Sequence, residues 1–532
     1  MTFAWNYGDI LDGVATVVAA DQVALIHGNQ QITWSEFTAR TNNLARNLLE
    51  NGAQPGDKIA FYMRNCAEYS EGIAAAFKAR LTHVNVNYRY VEQELVYLLD
   101  NSDATVVVYG AEFAPQVARI RDQLPLVSQW IEVSGKDDRY EVMVAQGDGQ
   151  ALGIIRSPDD MLFLYTGGTT GMPKGVMWRH SDLWAATGGG ADPSKGIPPA
   201  TDMESYLTTL KAGEPPVNLA LPPLMHGTGL LSSINAMTRG GTCVTLASKN
   251  FNAEMALAAI DEFSVSATSI VGDAFARPML EVLEAAPKKY TLSSLKTITS
   301  SGVMWTSEIK SGLLNHQPQL ILSDRFASSE ALGMGGSTMT KDLSVEVAKF
   351  TLGPDTKVFT EDFEEVAPGS GVSGMVAVKG SLPIGYYKDQ AKTDKTFLVI
   401  NGDRYSIPGD WAIVEADGSL TLLGRGSNCI NTGGEKVFPE EVEEALKFHE
   451  SIADALVVGL ADKKWGQAIT AIVQMRSGFE LDEAELKTFA RQHLAAYKLP
   501  KNIIVKADLD RAANGKADYP AIKDYAKSVL VG

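Results

Sequence analysis

The chain has 532 residues, 45% of them hydrophobic and 21% charged, with a formal net charge of −17. That length allows a large core and more than one domain. The acidic balance excludes a nucleic-acid coat or an anionic membrane surface as the main partner, but leaves local loops free to hold an anionic small molecule. The three cysteines, Cys66, Cys243 and Cys429, have no metal or disulfide spacing, so reduced thiols and a cytoplasmic setting are expected. The sequence begins without a basic stretch leading into an apolar one. No run approaches the roughly 20 apolar residues of an integral membrane span. Peripheral membrane contact stays open for a lipid substrate.

In chain order, Ile32-Thr-Trp-Ser-Glu-Phe37 leads into a helical pattern ending near Gly52, and Gly56–Tyr62 reads as a turn and a strand. From about residue 151 to residue 333, short apolar strands alternate with loops and helical segments. The expected strands are Met161–Tyr165, Val217–Leu221, Ala267–Val271, Lys296–Ser300 and Gln319–Ser323. Expected helices are Ala253–Phe263, Arg277–Ala285 and Ser307–Leu314. Such alternation predicts a layered α/β fold with largely parallel sheet, in which ligands bind beyond the carboxyl ends of strands. Segments 166–175, 222–229, 272–275, 301–304 and 324–330 are expected as loops in that place. Residues 186–216, rich in Gly, Pro and charge, read as an exposed insertion. A composition break at Gly424-Arg-Gly-Ser-Asn428 divides a large N-terminal domain, 1–424, from a small α+β domain, 425–532, with a hinge near 426–427. Pro439 and the acids after it make a good helix start.

The run Tyr165-Thr-Gly-Gly-Thr-Thr-Gly-Met-Pro-Lys-Gly175 carries the clearest chemistry. Glycines let backbone N–H groups wrap an anion. Thr166, Thr169 and Thr170 add hydroxyls and Lys174 a mobile charge, with Gly167 and Gly168 opening the approach. This is a polyphosphate cradle but not a Walker A loop, because Pro173 precedes the lysine and Gly175 follows it.

This run resembles the phosphate loop of the adenylate-forming superfamily, and the resemblance to its acyl-CoA synthetase branch extends from Ile32 to Lys516. Six further motifs stand in the family's order. In Leu221-Pro-Pro-Leu-Met-His-Gly-Thr-Gly229, the resemblance implies that His226 lies between nucleotide and acyl pocket, with Gly227 and Gly229 leaving room for substrate. Thr299-Ser-Ser-Gly-Val-Met304 looks like the turn beneath adenine and beside the carboxylate, using Ser301, Gly302 and Val303. Val303 and Met304 stand where Ala-Pro is common. Ser323-Asp-Arg-Phe-Ala-Ser-Ser-Glu330 resembles Tyr-Gly-x-Thr-Glu. It implies Phe326 stacked on adenine, Asp324 at the exocyclic amine, Arg325 nearby, Ser329 on phosphate, and Glu330 on Mg²⁺, a hard cation that prefers oxygen.

Asp410, in Pro408-Gly-Asp-Trp411, is the expected ribose acceptor, and Arg425 a ribose or phosphate contact. The loop Asn428–Pro439 is expected to meet CoA through Gly433, Gly434 and Lys436. Lys516 matches the lysine that bridges carboxylate and α-phosphate. Phe275, Met304, His226 and Gly227 would line the acyl pocket. The family departs from this chain at Gly167, usually Ser, and at Ser427, where Asp or Lys is the usual hinge residue.

The implied reaction is ATP-dependent formation of acyl-AMP from a carboxylic acid, followed by transfer to CoA. The C-terminal domain would rotate so that Lys516 serves the first step and the 433–434 loop the second. Met225, Phe275 and Met304 as apolar walls favour a medium-to-long or bulky alicyclic acid. The segment Val271–Pro278 and the 186–216 insertion look like actinobacterial long-chain or sterol-side-chain enzymes. The rival readings are an enzyme that loads a carrier protein, amino-acid adenylation, for which the expected Phe-Asp pair is absent, and a non-catalytic acyl-nucleotide sensor. A homodimer is a family-level expectation only.

Overall fold

The computed structural model describes residues 5–135, 139–168, 171–192, 195–303, 305–343, 349–432, 435–462, 466–494, 496–512 and 515–531. The chain forms two compact units, one of residues 1–347 with 379–406, the other of 348–378 with 407–532.

In the first unit, eight strands follow the order Gln30–Thr33, Val23–His27, Thr242–Thr245, Val217–Ala220, Ala267–Ile270, Thr297–Ser301, Ile321–Ser328 and Ala331–Met339. The run from Val23–His27 to Ile321–Ser328 is parallel. The crossover helices Ala253–Glu262, Asp273–Ala285 and Ser307–His316 lie between successive strands in the chain, as right-handed β–α–β connections require. Ile260, Phe275, Leu283, Ile309 and Leu313 from these helices share a core with Leu219, Ile270, Ile298 and Leu322 from the strands. A second sheet follows the order Gly385–Tyr386, Gly171–Arg179, Met161–Gly168, Thr82–Asn85, Lys58–Tyr62, Ala104–Gly110 and Gln129–Val133.

Several expectations change. Residues 227–229 and 273–275, expected in loops, begin the helices Gly227–Thr238 and Asp273–Ala285. Residues 166–168 and 171–175 are not a loop beyond a strand. Strands Met161–Gly168 and Gly171–Arg179 form an antiparallel hairpin with Thr166 opposite Lys174 and Gly168 opposite Gly171. Burial of Val176 and Trp178 on one face of the second strand drives this pairing. Asp324, Arg325 and Phe326 likewise continue strand Ile321–Ser328, flanked by Ser300 and Ser301 on one side and Gly335 to Ser337 on the other. Finally, the 186–216 insertion holds the helix Met203–Ala212, capped by Asp202 and anchored by buried Tyr206, whose hydroxyl donates to the Thr238 carbonyl at 2.7 Å.

In the second unit, strands Thr356–Phe359, Ser373–Val378, Asp410–Val414, Ser419–Arg425 and Lys349–Leu352 lie side by side in that order, all antiparallel. A long hairpin, Ile452–Asp462 with Gly466–Met475, forms the centre of the rest. Its nearly continuous apolar sequence follows from burial on both faces. Ala455, Val457, Ala471 and Val473 pack with Val442, Leu446 and Leu486. Leu456, Val458 and Ile472 pack with Ile504, Ile522 and Ala526. Among the described residues, no helix is long and apolar enough to cross a membrane.

Two imidazoles are sealed in the first unit. His83 stacks on Phe61 at 5.2 Å. His180 accepts at Nδ1 from the Tyr7 backbone N–H at 3.3 Å. Burial lowers His83 from 6.5 to about 3 and His180 from 6.5 to about 4. Both stay neutral in the fold, so below pH 6.5 the unfolded chain takes up protons that the folded chain refuses, and stability falls with pH. Each contributes about 1.4 kcal/mol per pH unit in that range. Denaturant unfolding of His83→Phe between pH 6.5 and 5 is expected to show a shallower loss than the parent by about that amount. Equal slopes would contradict this account.

Candidate active site

The phosphate hairpin is fixed to its surroundings by a buried carboxamide. Asn85 ends strand Thr82–Asn85. Its Nδ2 donates to the Tyr165 carbonyl at 2.9 Å and the Met225 carbonyl at 2.6 Å, and its Oδ1 accepts from the Tyr165 N–H at 2.7 Å. One side chain thus ties the base of the hairpin to the turn that carries His226. Asn65 holds the same turn, accepting from the Leu224 N–H at 2.7 Å and donating to the Pro222 carbonyl at 3.2 Å. Neither asparagine was singled out from the sequence. For Asn85 the available signal was a polar residue in a four-residue strand that is buried throughout.

His226 sits at the N-cap of helix Gly227–Thr238, partly exposed. A Cβ on Gly227 would meet nothing within 4 Å, which agrees with room beside the backbone. Gly229 differs, because a Cβ there would approach the Pro222 and Pro223 carbonyl oxygens at 2.6 Å. It is glycine for the close backbone packing of this turn, and the space next to it is already filled.

At the hairpin, Gly175 is required because a Cβ would lie 2.6 Å from the Tyr165 ring. Lys174 Nζ donates to Asp389 Oδ2 at 2.7 Å. That hydrogen bond is the main cause of the lowered Asp389 pKa. Asp389 also caps helix Gln390–Thr396 by accepting from the Lys392 N–H at 2.9 Å. The lysine is therefore held at the edge of the hairpin by a partly exposed pair, of a kind that an incoming polyphosphate can displace.

The Ser329-Glu330 segment is brought to the same hairpin across about 150 residues of sequence. Trp178 Nε1, on the hairpin's second strand, donates to the Ser329 carbonyl at 2.9 Å with |i−j| of 151. The Tyr386 hydroxyl donates to Glu330 Oε1 at 2.8 Å, and Ser406 Oγ donates to the Glu330 carbonyl at 2.7 Å. Thr166, Gly168, Lys174, Ser329 and Glu330 thus belong to one hydrogen-bonded assembly, with Gly167 at the register shift between Thr166 and Gly168. Glu330 can hold one metal through a single carboxylate, which suits a cation that takes its other ligands from phosphate and water.

At the neighbouring strand ends, Ser300 Oγ accepts from the Gly272 N–H at 2.9 Å. Gly302 takes φ +95, a conformation glycine reaches without strain. Ser301 lies opposite Arg325 in the parallel ladder, and Val303 packs on the adjoining core. Lys310 Nζ donates to Asp324 Oδ2 at 2.8 Å and lies 5.4 Å from the Trp305 ring centroid. Both charged side chains are below 10% exposed. Lys310 was not singled out from the sequence. Phe326 is buried and Arg325 exposed, on opposite faces of their strand. Phe275 is also buried, its ring 4.7 Å from Phe251.

In the second unit, Asp410 and Arg425 face each other across an antiparallel pair, with Arg425 Nε 2.9 Å from Asp410 Oδ1. Arg425 Nη1 also donates to the Pro408 carbonyl at 2.9 Å. Lys516 is exposed on a turn in which the Ala512 N–H donates to its carbonyl at 2.9 Å. Thr169, Thr170, Met304, Gly433 and Gly434 lie outside the described residues. Lys436 is on strand Glu435–Val437, with its side chain likewise outside the description.

This combination of a glycine- and threonine-rich hairpin, an anchored glutamate and a layered α/β frame defines a nucleotide-handling enzyme. The chain belongs to the AMP-binding enzyme family: that family's model matches residues 14–387, and the AMP-binding enzyme C-terminal domain matches residues 441–516. Its curated relatives put it on the acyl-CoA synthetase branch. It is 40% identical over 538 residues to a 3-oxocholest-4-en-26-oate–CoA ligase of Rhodococcus rhodochrous, covering 98% of this chain and 96% of that one. It is also 40% identical over 539 residues to a medium/long-chain-fatty-acid–CoA/3-oxocholest-4-en-26-oate–CoA ligase of Mycolicibacterium smegmatis, covering 98% and 97%. The fold matches that of an anthranilate CoA ligase in complex with anthranoyl-AMP, with a TM-score of 0.86, 20% identity, and 100% and 99% of the two chains covered.

Asn85→Ala leaves the Tyr165 and Met225 backbone groups without this partner. Loss of roughly 2–4 kcal/mol in denaturant unfolding is expected, from buried polar groups left unsatisfied, together with loss of nucleotide binding. Parent-like stability would show that Asn85 does not hold the two segments.

Proposed function

We propose that this protein is an AMP-forming acid–CoA ligase whose substrate is a medium- or long-chain fatty acid or a steroid side-chain acid. The observation that carries the reaction class is the joining of the Thr166–Lys174 hairpin to Ser329-Glu330 through Trp178. A cradle of N–H groups, hydroxyls and one lysine next to a carboxylate suits ATP. In such chemistry the protein supplies positioning and charge stabilisation and forms no covalent intermediate of its own. The acid class is supported by the two relatives named above, both similar over nearly their whole length.

On this reading a carboxylate oxygen of the acid attacks the α-phosphorus of ATP, and pyrophosphate leaves. The CoA thiolate then attacks the acyl-AMP carbonyl and AMP leaves. Thr166, Gly167, Gly168, Thr169, Thr170 and Lys174 hold the polyphosphate, and Ser329 donates to it. Ser301, Gly302, Val303, Asp324, Arg325 and Phe326 receive the adenine. Asp410 and Arg425 receive the ribose. His226, Gly227, Phe275 and Met304 face the acyl chain, and Gly433, Gly434 and Lys436 meet CoA. Glu330 would hold Mg²⁺, which would neutralise charge on the phosphates. The tether from Tyr386 keeps that carboxylate in place. Lys516 serves adenylation, and movement about a hinge near 426–427 replaces it with the 433–434 loop for thioester formation.

Lys516→Ala is expected to lower acyl-AMP formation by roughly 10²–10³-fold, as removal of one preorganised electrostatic donor does. Thioester formation from supplied acyl-AMP should fall far less. Equal loss in both half-reactions would end this division of labour. The acid class is tested by kcat/KM across acetate, octanoate, palmitate, benzoate and a cholesterol-derived side-chain acid. Acetate as the best substrate would overturn the assignment.

A further inference from the structure

The turn that carries Lys516 is held at both ends by contacts that the proposed reaction does not use, a partly buried ion pair before it and a tyrosine–carboxylate hydrogen bond after it. Before the turn, Arg511 makes a two-pronged contact with Asp454. Its Nε donates to Oδ2 at 2.5 Å and its Nη2 to Oδ1 at 2.9 Å. The third guanidinium nitrogen, Nη1, donates to the Gly515 carbonyl at 3.2 Å, one residue before the lysine. Inside the turn, the Gly515 N–H donates to the Ala512 carbonyl at 2.8 Å, and Gly515 takes φ +72. After the turn, the Tyr519 hydroxyl donates to Glu443 Oε1 at 2.9 Å, and that oxygen also accepts from the Val457 N–H at 2.9 Å. Asp454 and Val457 are both on strand Ile452–Asp462. The turn is thus fixed at its two ends to one strand, directly through Asp454 and by way of Glu443.

We propose that Arg511, oriented by Asp454, is a positioning residue that sets the backbone of the Lys516 turn for acyl-AMP formation and has no part in thioester formation. The inference rests on the reading of Lys516 as the adenylation lysine. A planar guanidinium can grip a carboxylate with two parallel bonds and still direct a third donor elsewhere, which a lysine at this position cannot do. Lys516 itself is a flexible charge at the end of four methylenes. It can be preorganised only if its backbone is, and displacement of a catalytic group by about 1 Å costs on the order of 10²-fold.

The test is Arg511→Gln and Asp454→Asn, each alone and in a Lys516→Ala background, with the two half-reactions measured separately. Each single variant is expected to lower kcat for acyl-AMP formation by about 10- to 100-fold, with KM for ATP and acid within about threefold. Thioester formation from supplied acyl-AMP should stay within about threefold. Because the effect acts through the lysine, adding either change to Lys516→Ala should cost no more than about twofold further, a non-additivity that marks groups working as one unit. A fall in both half-reactions together, or a full additional loss in the Lys516→Ala background, would mean that the pair only stabilises the unit, and would overturn the proposal. Where Arg511→Gln fails to fold, Arg511→Lys keeps the charge but loses the two-pronged grip. The same selective loss is expected of it, and parent-like adenylation would overturn the proposal. If Lys516→Ala itself shows no preference for adenylation, the underlying reading of Lys516 fails, an outcome distinct from the other two.

Discussion

The candidate site depends first on one carboxamide. Asn85 satisfies three backbone groups from two segments, Tyr165 and Met225, that lie 60 residues apart in the chain. Tyr165 lies past the point where its strand's pairing with Thr82–Asn85 ends, and Met225 lies beyond strand Val217–Ala220, so the backbone groups facing Asn85 need another partner in a dry environment. A side chain with one acceptor and two donors is the smallest group that can serve both. The positions of the hairpin and of the His226 turn relative to each other follow from this contact.

From that anchor the rest of the first unit is built outward. Trp178 is buried as part of the hairpin's apolar face, yet its indole N–H reaches the Ser329 carbonyl, so packing and site geometry are fixed by the same residue. Tyr386 and Ser406 then hold Glu330. Lys174 is the exception to this rigidity, since its ion pair with Asp389 is partly exposed and exchangeable. A site that binds a polyphosphate and later releases pyrophosphate needs a fixed cradle and a movable charge. In the second unit, Asp410 and Arg425 neutralise each other across one strand pair. The turn bearing Lys516 has its own anchors on the strand Ile452–Asp462.

The layered α/β frame of the first unit was legible because its strands are short and apolar and alternate with helical segments. Strands expected at Ala267–Val271 and Lys296–Ser300 fall within one residue of Ala267–Ile270 and Thr297–Ser301. The glycine- and threonine-rich run was legible for a different reason, since its composition suits no packed element. Its hairpin geometry was not, because Gly171-Met-Pro-Lys-Gly175 has the composition of a loop and becomes a strand only through the burial of Val176 and Trp178 beyond it. Asp324 to Phe326 were misjudged as loop for a related reason, as the pairing that extends their strand comes from Gly335 to Ser337, a glycine-containing partner with weak strand character. Gly229 shows the limit of reading glycine as space. Only coordinates reveal that the Pro222 and Pro223 carbonyls already occupy it. Trp178, Tyr386 and Lys310 left no local signature, because each acts through a partner distant in sequence or reads as an ordinary surface or core residue.

The central claim is that a carboxylate oxygen attacks the α-phosphorus of ATP on this frame. Turnover of an acid labelled with ¹⁸O in both carboxylate oxygens, in the presence of ATP, Mg²⁺ and CoA, tests it most directly, with the label followed by mass spectrometry of AMP and the phosphates. The account predicts one labelled oxygen in AMP, none in pyrophosphate, and an acyl-CoA that keeps the other. Label in inorganic phosphate or pyrophosphate, or acyl-CoA formed with unlabelled AMP, would contradict it.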